Sequence, residues 1–93
     1  PLMALDSGNY LKNKLETLKE KYLFISEIRG MGLLIGLEMT KDKSAEIIQK
    51  CLSKGLLLNA VRPNMIRFMP PLNVLKTEID DAIDILDSSL ETL

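Results

Sequence analysis

The chain contains no histidine and a single cysteine, Cys51. Without histidine neither a Ser–His nor a Cys–His pair can be built, which closes the commonest routes to an activated nucleophile. One thiol and no imidazole cannot assemble a typical zinc or iron–sulfur site. A lone cysteine also cannot close an internal disulfide, which fits a reducing compartment, so a cytoplasmic protein is expected. No charge of one sign dominates, with twelve Lys and Arg against thirteen Asp and Glu. Phosphate binding shows as a basic excess, so nucleic acid is not expected as a partner. No apolar run approaches the roughly 18 residues of a membrane span, and no basic stretch leads into an apolar one at the start. Neither a membrane contact nor a signal peptide is expected. Internal repeats and low-complexity linkers are missing too. What remains is 93 residues, one small domain with a single modest core and little catalytic equipment.

The periodicity predicts seven elements. From Pro1 to about Tyr22, Ala4, Gly8, Leu11, Leu15, Leu18 and Tyr22 form one helical stripe. Gly8 weakens that helix by roughly 1 kcal/mol, so a start or bend is expected there, with Asp6 or Ser7 as a cap. Two strands follow, about Ile25–Arg29 and Leu33–Met39, joined near Gly30 and Gly32. In the second, Leu33, Ile35, Leu37 and Met39 share a face, and Leu34, Gly36 and Glu38 take the other. Gly36 inside a strand marks a bulge or a close neighbour.

A helix from about Ser44 to Lys54 should bury Ile47, Ile48, Cys51 and Leu52, with Gly55 as its stop. "LLLNAV" reads as a third strand and "MIRFM" as a fourth, joined as a hairpin through Pro63 and Asn64, the latter tolerant of positive φ. A last helix from about Thr77 to Leu90 begins with a Thr77–Asp80 pair resembling a capping box. The expected fold class is α+β: a small, mostly antiparallel sheet with helices packed on one face.

The motifs are few. Gly30-x-Gly32 invites a dinucleotide reading, but Ile35 holds the third glycine's place and a strand follows where a helix N-terminus is needed. Cys51 lies on an apolar stripe with no basic neighbour on that face, the setting of an inert thiol. Met65 and Met69 suit core filling more often than a ligand site.

Arg67, in "NMIRFMPPLNV", is the sharpest feature. If Ile66 and Phe68 face the helices, Arg67 projects from the opposite face between Met65 and Met69. A guanidinium in apolar surroundings suits bidentate capture of a carboxylate or phosphate. The plainer reading is an arginine whose stem snorkels along the sheet. Pro70 and Pro71 would hold the backbone beyond it.

"EIRGMGLLIGLEM", then "GLLLNAVRPNMIRFMPPLNV" and a closing amphipathic helix, resembles the C-terminal small domain of class III pyridoxal-phosphate-dependent aminotransferases, nearest the acetylornithine and ornithine branch. The resemblance covers essentially the whole chain. It implies a homodimeric transferase of fold type I. Its large domain, in the same polypeptide, holds pyridoxal 5'-phosphate on a lysine, and the enzyme passes an amino group from N-acetylornithine or ornithine to 2-oxoglutarate. It implies further that Arg67 binds the substrate's α-carboxylate. No lysine of this chain inherits the cofactor role, so no catalytic or cofactor-binding residue is expected here and the 93 residues alone should be inactive. Family members often start the last helix with Thr or Ser where this chain has Leu75. Arg62 adds a charge beside the turn and is expected to be solvated. The competing expectation is a free-standing α+β module that binds a small anion or a partner without catalysis.

Overall fold

In the computed structural model, residues 4–31, 34–71 and 73–93 are described. The elements run α1 (Ala4–Lys21), β1 (Ile25–Met31), β2 (Leu34–Met39), α2 (Ser44–Ser53), β3 (Asn59–Arg62), β4 (Met65–Phe68) and α3 (Lys76–Glu91). The strands form one sheet in the order β1-β2-β4-β3, every pair antiparallel. Two hairpins are thus zipped together through β2 and β4. Helix α1 lies against β1 and β2, α2 against β3 and β4, and α3 packs on both helices. Among the described residues no helix lies on the other sheet face, as the alternation predicts for an α+β layer.

Helix α1 runs through Gly8, and Asp6 and Ser7 lie inside it, so neither is its cap. Burial decides this. Leu11, Leu15 and Leu18 are almost fully enclosed, each contributing about 1.5–3 kcal/mol, more than the roughly 1 kcal/mol that a helical glycine costs. Residues 1–3 of the expected helix lie outside the described residues, as does Leu33.

In α2, Ile47 and Cys51 are buried, but Leu52 is 49% exposed. The expectation for Leu52 fails because it sits about 100° around the helix from Cys51, off the line facing the sheet. The stop at Gly55 is as expected. Its φ is +92°, its N–H donates to the Leu52 carbonyl at 3.0 Å, and the Leu56 N–H donates to the Cys51 carbonyl at 2.9 Å, a Schellman closure.

That closure also shortens the third strand, which starts at Asn59 instead of Leu56. The Leu56 N–H is already used, and the partner strand ends at Phe68 just before Pro70, which has no N–H to continue a ladder. Asn64 does not take positive φ; among the described residues no non-glycine does. It works through hydrogen bonds instead. Its Nδ2 donates to the Met39 carbonyl at 3.2 Å, and its own carbonyl accepts from the Met39 N–H at 2.7 Å. The turn is thereby tied to the end of β2.

Helix α3 starts one residue earlier than expected, which replaces the Thr77–Asp80 pair. Leu75 is the N-cap, extended at φ −91° and ψ 152°, with no side-chain cap. Glu78 Oε1 accepts from the Leu75 N–H at 2.8 Å, the returning half of a capping box. The other half is missing because leucine has no acceptor. Leu75→Ser should therefore stabilise the chain by roughly 1 kcal/mol, raising Tm by about 4–8 °C for a domain of this size. Thermal unfolding followed by circular dichroism checks this, and an unchanged or lower Tm would reject Leu75 as the weak cap.

The far ends of α1 and α3 are joined by a polar cluster. The Tyr22 hydroxyl donates to Asp87, and Lys21 Nζ lies 3.0 Å from Asp87 Oδ1 and 3.4 Å from Glu91 Oε1. Burial, then the Asp87 hydrogen bond, pushes the Tyr22 phenol up to about 12. The same hydrogen bond, helped by Lys21, lowers the Asp87 carboxyl below its ordinary range. A raised phenol stabilises the fold below its ordinary pKa of 10.0, and that contribution is lost as pH rises from there through about 12. A lowered carboxyl stabilises above its ordinary value of 3.8, and that contribution is lost as pH falls below it. Tyr22→Phe is expected to flatten both limbs of the stability profile, read by urea unfolding across pH. Unaltered slopes above pH 10 and below pH 4 would show that the cluster is uncoupled from folding.

Candidate functional site

Alternation along β4 sorts its residues cleanly. Ile66 and Phe68 are buried beneath the helices, Met65 is half-buried and Arg67 is exposed on the open face. Register then sets the neighbours. Arg29 pairs with Gly36, Gly36 with Arg67, and Arg67 with Asn59. One row across all four strands therefore reads Arg29, Gly36, Arg67, Asn59. A shallow groove of about 290 Å³ follows this row, lined by Arg29, Gly30, Leu34, Gly36, Val61, Met65 and Arg67. Leu34 and Val61 expose 58% and 45% of their surface here, whereas Met69, expected beside Arg67, lines a separate cavity beneath Pro70 and Pro71.

The two guanidiniums of the row differ electrostatically. Arg29 Nη2 lies 2.9 Å from Glu27 Oε2, and its Nε lies 3.0 Å from Glu38 Oε1. Among the described residues Arg67 forms no salt bridge. Arg29 is neutralised on its own face, whereas Arg67 keeps a fork of donors, free among the described residues, beside half-buried Met65 and the exposed aliphatic surface of Leu34 and Val61. Such a fork can take a carboxylate bidentately, with the apolar rim limiting competition from water.

The other candidates fall into place around it. Gly30 belongs to β1 and pairs with Ile35, so the glycine motif closes a hairpin and opens no helix; Gly32 lies outside the described residues. Cys51 is fully buried, and burial pushes its thiol up. The sequence reading missed one basic neighbour, since Lys54 reaches Ser89 Oγ at 3.2 Å, beside the Cys51 thiol 3.6 Å from that hydroxyl. Its lowering effect is smaller than that of burial. Arg62 is exposed at the end of β3, and its carbonyl accepts from Ser44 Oγ at 2.8 Å. A second cavity, about 240 Å³ beneath Pro70 and Pro71, is lined almost wholly by apolar side chains. Among the described residues there is no cluster of three metal-ligating side chains, and no helix is long and apolar enough to cross a membrane.

Arg29, Glu27, Glu38 and Gly36 are the residues of this face that the sequence reading did not connect to Arg67. Alternation put Gly36 and Glu38 on one side of β2, but only the pairing with β4 brings them beside the arginine.

Residues 3–90 match the family described as Aminotransferase class-III. The chain is 46% identical over 86 residues to the acetylornithine aminotransferase of Caldanaerobacter subterraneus subsp. tengcongensis, covering 92% of this chain and 22% of that protein. It is 49% identical over 86 residues to the acetylornithine aminotransferase of Clostridium acetobutylicum, with the same coverages. The crystal structure of acetylornithine aminotransferase from Elizabethkingia anophelis superposes with a TM-score of 0.88 at 26% identity, over 97% of this chain and 24% of that one. The chain thus spans about a fifth of the length of the curated relatives it matches.

Proposed function

Since the chain belongs to the class-III aminotransferase family, we propose that it forms the C-terminal small domain of an acetylornithine- or ornithine-type aminotransferase, and that Arg67 receives the substrate's α-carboxylate. The observation that carries this reading is the contrast within one row: Arg29 is held by two carboxylates, while Arg67, at the rim of an apolar groove, has no ion-pair partner among the described residues. In the parent enzyme a large domain of the same polypeptide covers this face, two subunits associate, and 2-oxoglutarate accepts the amino group.

Pyridoxal 5'-phosphate, the cofactor the family implies, does not fit the described residues. None of the four strands carries a lysine, so the open face offers no amine to a cofactor aldehyde. Its chemistry is assigned to the large domain, and the share of this chain is orientation. A carboxylate fixed by two parallel hydrogen bonds leaves the α-carbon little freedom to turn away from its reaction partner. The test is the Arg67→Ala variant of the full-length enzyme, read by KM for both the amino donor and the oxo acid.

A further inference from the structure

The row explains where Arg67 points but leaves open why it is unpaired. Glu38 stands directly across from Met65 in the β2–β4 ladder, diagonal to Arg67 on the same sheet face, within reach of long side chains. A carboxylate so placed would ordinarily be shared between both guanidiniums. Among the described residues it forms an ion pair with Arg29 alone.

The intervening space is filled. A Cβ built on Gly36 would lie 2.3 Å from Met65 Cε, and its nearest backbone atom, the Ile66 oxygen, is 3.9 Å away. The Met65 methyl therefore occupies the notch that Gly36 leaves, between the strands that carry Arg29 and Arg67. Those strands stand two spacings apart, about 9.5 Å. A side chain at position 36 would expel the methyl. The notch is built from an absent side chain on β2 and an apolar one on β4.

We infer that Met65, seated over Gly36, is a positioning residue: an apolar partition that keeps Arg67 out of the Glu27–Arg29–Glu38 ion-pair network and so leaves its guanidinium available to a substrate carboxylate. This rests on the proposed role of Arg67. A thioether suits the task, since it is flexible enough to fill an irregular gap and offers no hydrogen bond strong enough to hold a guanidinium.

The experiment uses the full-length enzyme. Met65→Ala is expected to raise KM for both substrates roughly tenfold, the scale of one ion pair that must break before substrate enters. Gly36→Ala, which displaces the methyl, should act in the same direction. Combining either change with Glu38→Gln should bring KM back to within about threefold of the parent, because the competing charge is gone. Met65→Leu, which keeps the partition, should behave as the parent. Tm and cofactor absorbance confirm that each variant is folded, and Gly36→Ala with its Glu38→Gln partner stands in if Met65→Ala does not fold. A KM for the partition variants within twofold of the parent, or no rescue by Glu38→Gln, overturns the partition. If Arg67→Ala also leaves KM unchanged, the clamp itself is wrong. If Arg67→Ala raises KM while Met65→Ala does not, only the partition falls.

Discussion

Arg67→Ala in the full-length enzyme is expected to raise KM for both substrates by about thirtyfold to several thousandfold. That range corresponds to the roughly 2–5 kcal/mol lost when one partner of a hydrogen-bonded charge pair is removed from a dehydrated setting. The lower end applies if water reaches the vacated site, and the upper end if the covered groove stays dry. The fold should survive, because the side chain is exposed and forms no salt bridge among the described residues. Cofactor absorbance should also survive, since the proposed cofactor site lies outside this chain. Arg67→Lys keeps the charge but loses the planar fork, so its KM should fall between parent and Ala variant. Steady-state kinetics with each substrate varied in turn decides the matter. Unchanged KM values for both would remove Arg67 from the substrate site.

The second large effect concerns folding. Gly30→Ala is expected to destabilise the chain by about 2–5 kcal/mol, the sum of an unfavourable backbone and a steric overlap. Gly30 has φ +134°, a region that L side chains rarely adopt, and a Cβ there would stand 2.1 Å from the Leu34 carbonyl oxygen and 2.9 Å from the Ile35 Cα. Both obstacles are backbone, so no rotamer change relieves them. The β1–β2 hairpin carries the Glu27–Arg29–Glu38 pairs and one wall of the groove, so its loss would reach the site as well. Gly36→Ala is the internal control. Its only close neighbour is the flexible tip of Met65, and its effect on stability should be much smaller. Urea midpoints of the two variants compare them directly, and similar midpoints would remove the special role of Gly30.

Much of this was legible before the fold was known. The stripe Leu11, Leu15, Leu18 and the alternation Ile35, Leu37, Met39 are local patterns with one buried face each, and the structure buries those residues. The misreadings cluster at element ends. Leu52 lies just off its stripe, "LLLNAV" loses its first three residues to a helix closure, and the α3 cap shifts by two residues, from Thr77 to Leu75. At such positions a hydrogen bond from a neighbouring turn outweighs propensity, and sequence spacing does not reveal which bond forms.

Hydrophobic period alone was enough for the order of helices and strands and for the side of β4 on which Arg67 stands, because a one-residue slip would have put Ile66 and Phe68 into solvent. It could not say which strands lie side by side. The order β1-β2-β4-β3 joins residues some thirty positions apart, and such pairings depend on how two hairpins dock, which no local pattern encodes. Only that docking puts Gly36 between two arginines, seats Met65 in its notch, and leaves one guanidinium paired and the other without an ion pair among the described residues.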